Sequence, residues 1–233
     1  RITGLRADGY HLIDAEMVSL DLHDTLTIEP GGSGLAATGP FRDGVPLDDS
    51  NLVAKALHVA GRAALITIDK RIPHGGGLGG GSADAAAVLR WAGHATTPAA
   101  LDAASRLGAD IPFCLVGGRA RVRGIGEIVE PLGFVEATVT LVIPPLAVST
   151  PAAYRAWDDL GGPTADGPND LEPAALVVEP RLARWRDLIG DRTGRSPVLA
   201  GSGATWFTEG EHGNALADLV DEGATVVVAR TVP

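Results

Sequence analysis

Cysteine occurs once in the 233 residues, at Cys114, which excludes an internal disulfide and any Cys-x-x-Cys metal framework. Lysine is nearly as scarce, present only at Lys55 and Lys70. The six histidines are scattered, with no HxxxH pair, so no resident metal is expected. Basic charge is short overall: 19 Lys and Arg stand against 29 Asp and Glu, for a formal net charge of −10. Nucleic acid and anionic membranes both require a basic face, so neither is expected as a partner. Long apolar runs are missing too. None approaches the roughly 20 residues that span a bilayer, and no signal-peptide pattern opens the sequence. A soluble protein in a reducing, cytoplasmic setting is therefore expected, as a monomer or homodimer. Methionine is absent from the first position. The sequence begins Arg1-Ile2-Thr3 in what reads as the end of a strand, so residues upstream are expected.

Apolar residues make up 45% of the chain, enough to build packed cores rather than a disordered chain. Met17 to Leu22 and Thr25 to Ile28 read as strands, Gly31 to Pro40 as a loop, and Asn51 to Ala64 as a helix capped by Ser50. Leu65 to Ile68 is a short strand. Helices are predicted over Ser82 to Ala92 and Pro98 to Leu107, and a hairpin over Val116 to Ile128. Val135 to Ile143 is a strongly apolar strand closed by Pro144-Pro145. Beyond it come helices near Pro151 to Asp158, Leu182 to Ile189 and Asn214 to Val220. Strands are expected at Val198-Leu199, Thr205 to Thr208 and Thr225 to Arg230. Strands and helices mix without strict alternation, which places the chain in the α+β class. Two domains are expected, residues 1–134 and 135–233.

The strongest local signal is Pro73 to Ala83, PHGGGLGGGSA, in which six glycines between Gly75 and Gly81 are interrupted only by Leu78. Glycine lets backbone approach a ligand closely. A helix starting at Ser82 would aim its free N–H groups and dipole at whatever occupies the loop, an arrangement that suits a polyphosphate. Gly75, Gly77 and Gly80 satisfy GxGxxG, but the acidic residue that a dinucleotide site wants some twenty residues on would be Asp102, inside a predicted helix. The lysine-bearing P-loop fails because Gly81 stands where its lysine belongs. The protein-kinase set lacks its VAIK, HRD and DFG partners.

The segment resembles the PxxxGLGSSxA motif of the GHMP kinases, matching at Pro73, Gly77, Leu78, Gly79, Ser82 and Ala83. Four other segments are similar to elements of that family in the expected order: Arg6-Ala7-Asp8-Gly9-Tyr10-His11, Gly108 to Phe113 (GADIPF), Arg121 to Glu127, and Leu199 to Phe207 (LAGSGATWF). The resemblance covers about residues 1–208. It implies a ribosomal-protein-like N-terminal domain and a ferredoxin-like C-terminal domain. It also implies ATP, with Mg²⁺, on Pro73, His74, Gly75, Gly76, Gly77, Leu78, Gly79, Gly80, Gly81, Ser82 and Ala83. The acceptor would be a small alcohol, and the DGYH and GLGGGSADAA forms look most like the branch acting on a cytidine diphosphate-linked methylerythritol.

The resemblance makes Asp110 the general base; by residue chemistry alone a turn or helix-cap aspartate beside Pro112 is the more common role. It places Tyr10, His11, Thr150, Tyr154, Gly201, Ser202 and Gly203 around the substrate. Tyr154 reads also as a core tyrosine, and Gly201-Ser202-Gly203 as a tight turn. The family's opening strand, PAKxNLxL, carries a lysine near the reacting groups. No lysine stands upstream of Asp8 here, and neither Lys55 nor Lys70 matches that position. Two rival readings follow: another GHMP small-molecule kinase, or a nucleotide-binding pseudoenzyme.

Overall fold

The computed structural model describes residues 1–233 and divides into two compact units. One comprises residues 3–74, 79–134 and 232–233; the other comprises residues 1–2, 75–78 and 135–231.

The first unit carries two sheets. Strands β1 (Ile2–Leu5), β2 (His11–Val18), β6 (Arg119–Gly124) and β7 (Ile128–Pro131) lie in the order β1-β2-β6-β7. On this sheet Arg119 pairs with Glu16, Arg121 with Asp14 and Arg123 with Glu130. These are cross-strand ion pairs at a solvated face, each of modest worth. The second sheet has β5 (Ala64–Asp69) in the middle, antiparallel to β3 (Thr25–Pro30) and parallel to β4 (Gly34–Thr38). Strand β5 alternates buried and half-buried residues, so Ala64, Ile66 and Ile68 all enter the core. They meet Val53, Ala56 and Leu57 of α1 (Leu52–Val59) and Ala85, Ala86, Val88 and Leu89 of α2 (Gly80–Trp91). Leu101 and Ala104 of α3 (Pro98–Ser105) and Ile111 and Leu115 of α4 (Ile111–Val116) complete that core. Cys114 packs at its margin, and burial pushes its thiol up to about 12. It is a small apolar filler, not a nucleophile.

The second unit is built on an antiparallel sheet ordered β11-β8-β10-β9, from β8 (Thr138–Ile143), β9 (Val198–Leu199), β10 (Trp206–Glu209) and β11 (Thr225–Arg230). Numbered within the unit, that order is 4-1-3-2, the ferredoxin-like arrangement. Helices α5 (Thr150–Asp159), α6 (Glu172–Val178) and α7 (Leu182–Thr193) supply Ala153, Ala175, Leu182, Trp185 and Ile189 to a core shared with Val142, Leu199 and Trp206.

Several local expectations need correction. Strand β2 ends at Val18 instead of running to Leu22. The segment expected to be loop contains β4, whose small residues Ala36 and Ala37 give little alternation to read. Helix α1 is capped by Asn51, whose side chain accepts from the Val53 N–H at 2.8 Å, and not by Ser50, which bonds back to Asp48. Helices α4 and α6 were not anticipated; both are short and carry proline in their first turn. The helix expected over Asn214 to Val220 is a single 3₁₀ turn, Ala217–Val220.

Candidate active site

Helix α2 begins two residues earlier than the expected start at Ser82. Its N-cap is Gly79, at φ +67°, a left-handed conformation that side chains other than glycine rarely adopt. No side chain caps the helix. The first N–H with an intrahelical partner is that of Ala83, which donates to the Gly79 carbonyl at 2.9 Å. The N–H groups of Gly80, Gly81 and Ser82 are therefore the helix's open donors, at the positive end of its dipole. Alanine at 83, 85, 86 and 87 carries the helix onward. Gly80 is required sterically. A Cβ there would sit 2.9 Å from the Ile72 side chain and 3.1 Å from the Lys70 ammonium.

Asp110 lies at the N-cap position of α4, yet its side chain makes no capping hydrogen bond. Its Oδ2 is 3.8 Å from where a Cβ on Gly79 would stand, which puts the carboxylate beside the open end of α2. Burial raises its pKa above the ordinary carboxylate range.

Beneath the same helix turn is a network that sequence reasoning did not find. Lys70, only 3% exposed, donates to Asp24 at 2.5 Å and to Asp84 at 2.8 Å. Asp24 also accepts the N–H groups of Arg71 and Ile72, at 2.5 and 2.8 Å. Burial pushes Asp84 up to about 6, against the opposing pull of Lys70. Asp24 and Asp84 lie far from Lys70 in sequence, so no spacing rule connects the three. The one sequence signal was the rarity of lysine itself.

Tyr10 is 57% exposed, with the Arg6 guanidinium 5.3 Å from its ring centroid and Arg6 paired to Asp8 at 2.8 Å. His11 follows at the start of β2, half-buried.

In the second unit, residues 75–78 lie against the loop at 200–205. Thr205 donates its N–H to the Gly76 carbonyl at 3.1 Å, and a Cβ on Gly77, whose φ is +77°, would come within 2.4 Å of the Ala200 oxygen. Asn169 was also missed. Its Nδ2 donates to the carbonyls of Leu199 at 2.8 Å and Gly201 at 2.7 Å, tying down the Gly201-Ser202-Gly203 loop. Ser202 is buried, its hydroxyl 2.8 Å from that of Thr150 in the first turn of α5. Tyr154 sits one turn further on, half-buried. Nowhere do three or more His, Cys, Asp or Glu side chains converge as a metal site.

The sequence profile of the GHMP kinases N terminal domain matches residues 51–118, the stretch containing α1, β5, the glycine run and Asp110. The chain is 41% identical to a 4-diphosphocytidyl-2-C-methyl-D-erythritol kinase of Paracoccus denitrificans, over 88% of this chain and 81% of that one. The chain belongs to that kinase family. A Cereibacter sphaeroides protein of the same name is 39% identical over 88% of this chain and 83% of its own. Among solved structures, a 4-(cytidine 5'-diphospho)-2C-methyl-D-erythritol kinase matches with a TM-score of 0.76 at 32% identity, covering 100% of this chain and 94% of that chain. The mevalonate kinase of Methanococcus jannaschii, at 11% identity and a TM-score of 0.57 over 98% of this chain and 100% of its own, shares the fold. The α+β GHMP kinase fold and a phosphotransferase activity thus stand on sequence and structure together. No helix of this GHMP kinase is long and apolar enough to cross a membrane.

Proposed function

We propose that the chain transfers the γ-phosphoryl group of ATP to the 2-hydroxyl of 4-diphosphocytidyl-2-C-methyl-D-erythritol, a step of isoprenoid precursor synthesis outside the mevalonate route. The named relatives support this substrate over those of other GHMP kinases. The observation that carries the chemistry is the pairing of an uncapped helix start with an unengaged carboxylate at Gly79.

The residues fit a nucleotide's phosphates. The N–H groups of Gly80, Gly81 and Ser82 have no partner within α2 and no side chain caps them, as anion binding at a helix start requires. Mg²⁺ would accompany the nucleotide, held chiefly by its phosphates and offsetting their charge. Asp110 accepts the proton of the substrate hydroxyl as that oxygen bonds to the γ-phosphorus and the bond to the β,γ-bridging oxygen breaks, releasing ADP. Its raised pKa suits a base that must take a proton from an alcohol and then lose it. Tyr10 and His11 supply a ring face and a hydrogen-bonding edge for cytosine. In the second unit, Thr150, Tyr154 and Gly201-Ser202-Gly203 are the remaining substrate residues. Most of the acceleration comes from positioning and charge stabilisation, because phosphoryl transfer leaves the protein little covalent work.

The test is ADP formation from ATP in the presence and absence of 4-diphosphocytidyl-2-C-methyl-D-erythritol, with homoserine and mevalonate as competing acceptors. Turnover confined to the cytidine compound is expected. Nucleotide binding without turnover on any acceptor would make the protein a pseudoenzyme instead.

A further inference from the structure

We infer that Lys70 and Asp84 are positioning residues for the nucleotide's phosphates, acting through the first turns of α2 without touching the ligand. This inference rests on the kinase reading above.

Every polar group of Lys70 is committed. Its N–H donates to the Thr38 carbonyl at 2.8 Å and its carbonyl accepts from the Phe41 N–H at 3.2 Å, fixing the exit of β5 against the end of β4. Its ammonium bonds Asp24 and Asp84. Asp24 in turn holds the N–H groups of Arg71 and Ile72, the residues leading to the glycine run. Asp84 is the fifth residue of α2, one turn after the open donors of Gly80 to Ser82. The ammonium therefore joins two things that must keep a fixed relation: the chain entering the glycine run and the helix leaving it. Contact at Gly80 is so tight that even one methyl group would strike Ile72 and the ammonium. Sliding α2 along its axis would have to break the Lys70–Asp84 bond, in a site where neither group can recover water. Helix dipole and open N–H groups are useful to a phosphate only when held at a fixed point, and this pair holds them there.

Lys70 is unsuited to a direct role. It is 3% exposed and already shared between two carboxylates, so it offers no free charge to a phosphate. That separates it from the lysine of a P-loop, which reaches its ligand.

The informative variant is Asp84→Ala, because it releases α2 while leaving Lys70 paired with Asp24. Misplacement of binding groups by a fraction of an ångström can cost a large factor, so the dissociation constant of a non-hydrolysable ATP analogue, measured by calorimetry well below the variant's melting temperature, is expected to rise roughly tenfold. KM for ATP should rise in parallel, with KM for the acceptor alcohol unchanged. Asp84→Asn keeps an acceptor for the ammonium and should restore nucleotide affinity to within about twofold of wild type. A folded Asp84→Ala protein that binds the analogue as wild type does would overturn the inference, since a merely structural role lowers the melting temperature alone. So would failure of Asp84→Asn to rescue. No analogue binding by the unsubstituted chain is a different result, and it sinks the kinase reading itself.

Discussion

The two glycine loops, residues 75–81 and 200–203, are alike in composition and opposite in what they offer. The first runs into a helix, so its last residues expose N–H donors at the positive end of a dipole. The second leads into strand β10, and the carbonyls of Leu199 and Gly201 are taken by the Asn169 amide. One leaves open donors of the kind an anion takes. The other is a held turn, set in place by an amide and by the Thr150–Ser202 hydroxyl contact. Glycine content alone therefore does not make a phosphate loop. The element that follows decides it, together with the groups that immobilise the backbone.

The largest effect is expected where the first loop meets its carboxylate. Asp110→Asn removes the proposed base but preserves shape; loss of general-base catalysis is worth about 10²–10⁴-fold, so kcat should fall by roughly that factor while affinity for an ATP analogue stays within about twofold. A kcat within tenfold of wild type would remove Asp110 from the chemistry. Next in size is Gly77→Ala. A Cβ there would lie 2.4 Å from the Ala200 carbonyl oxygen and force the two loops apart. Such overpacking typically costs about 1–3 kcal/mol, to be read by chemical denaturation. Gly79→Ala meets no comparable clash, because its nearest neighbour is the Asp110 carboxylate at 3.8 Å. It should lose only the ~1–2 kcal/mol of a left-handed non-glycine residue. Equal losses at both positions would erase the distinction between a glycine needed for space and one needed for backbone angle.

The same contrast explains what could be read in the sequence. The first loop was legible because its signal is local: small residues, then an alanine-rich helix, with only the starting residue misplaced by two. Asp110 was legible as a candidate only through the family resemblance of Gly108 to Phe113, since residue chemistry alone favoured a turn or cap aspartate. What holds the loop was not legible. Lys70 finds Asp24 46 positions away and Asp84 14 positions away, and neither interval carries a rule. Asn169 likewise reaches 30 residues forward to Leu199, from a segment that reads as plain loop. The parallel β4–β5 pairing is hidden for a related reason, since Gly34 to Thr38 has too few large residues to alternate. Local patterns disclose the glycine-rich backbone and the helix it starts; the polar clamps beneath it exist only once the chain has folded.

If the second loop depends on its amide clamp, Asn169→Ala should leave the carbonyl of buried Leu199 without its donor, at a cost of about 1–3 kcal/mol in stability, while the exposed Gly201 carbonyl can turn to water. KM for the cytidine substrate should increase, with affinity for the ATP analogue unaltered. A rise in both would show that the two loops are not independent.

The smallest effect concerns pH and the first loop's clamp. Asp84 is raised from 3.8 to about 6 in the folded protein, burial being the main cause. Between those two values the folded state keeps a proton that the unfolded state has released, so this group makes stability fall as pH rises from about 4 to about 6, and contributes no further change above that. Asp84→Asn removes the titration. Relative to wild type, the variant should gain stability progressively across that window and then hold a constant difference. Asp110, shifted in the same direction by burial, keeps part of the slope in the variant, so the wild-type slope is reduced rather than abolished. Urea denaturation at pH 4, 5, 6 and 7 measures the difference directly. A difference that is flat from pH 4 to 7 would mean that Lys70 keeps Asp84 ionised throughout, which makes the clamp a permanent ion pair and its hold on α2 independent of pH.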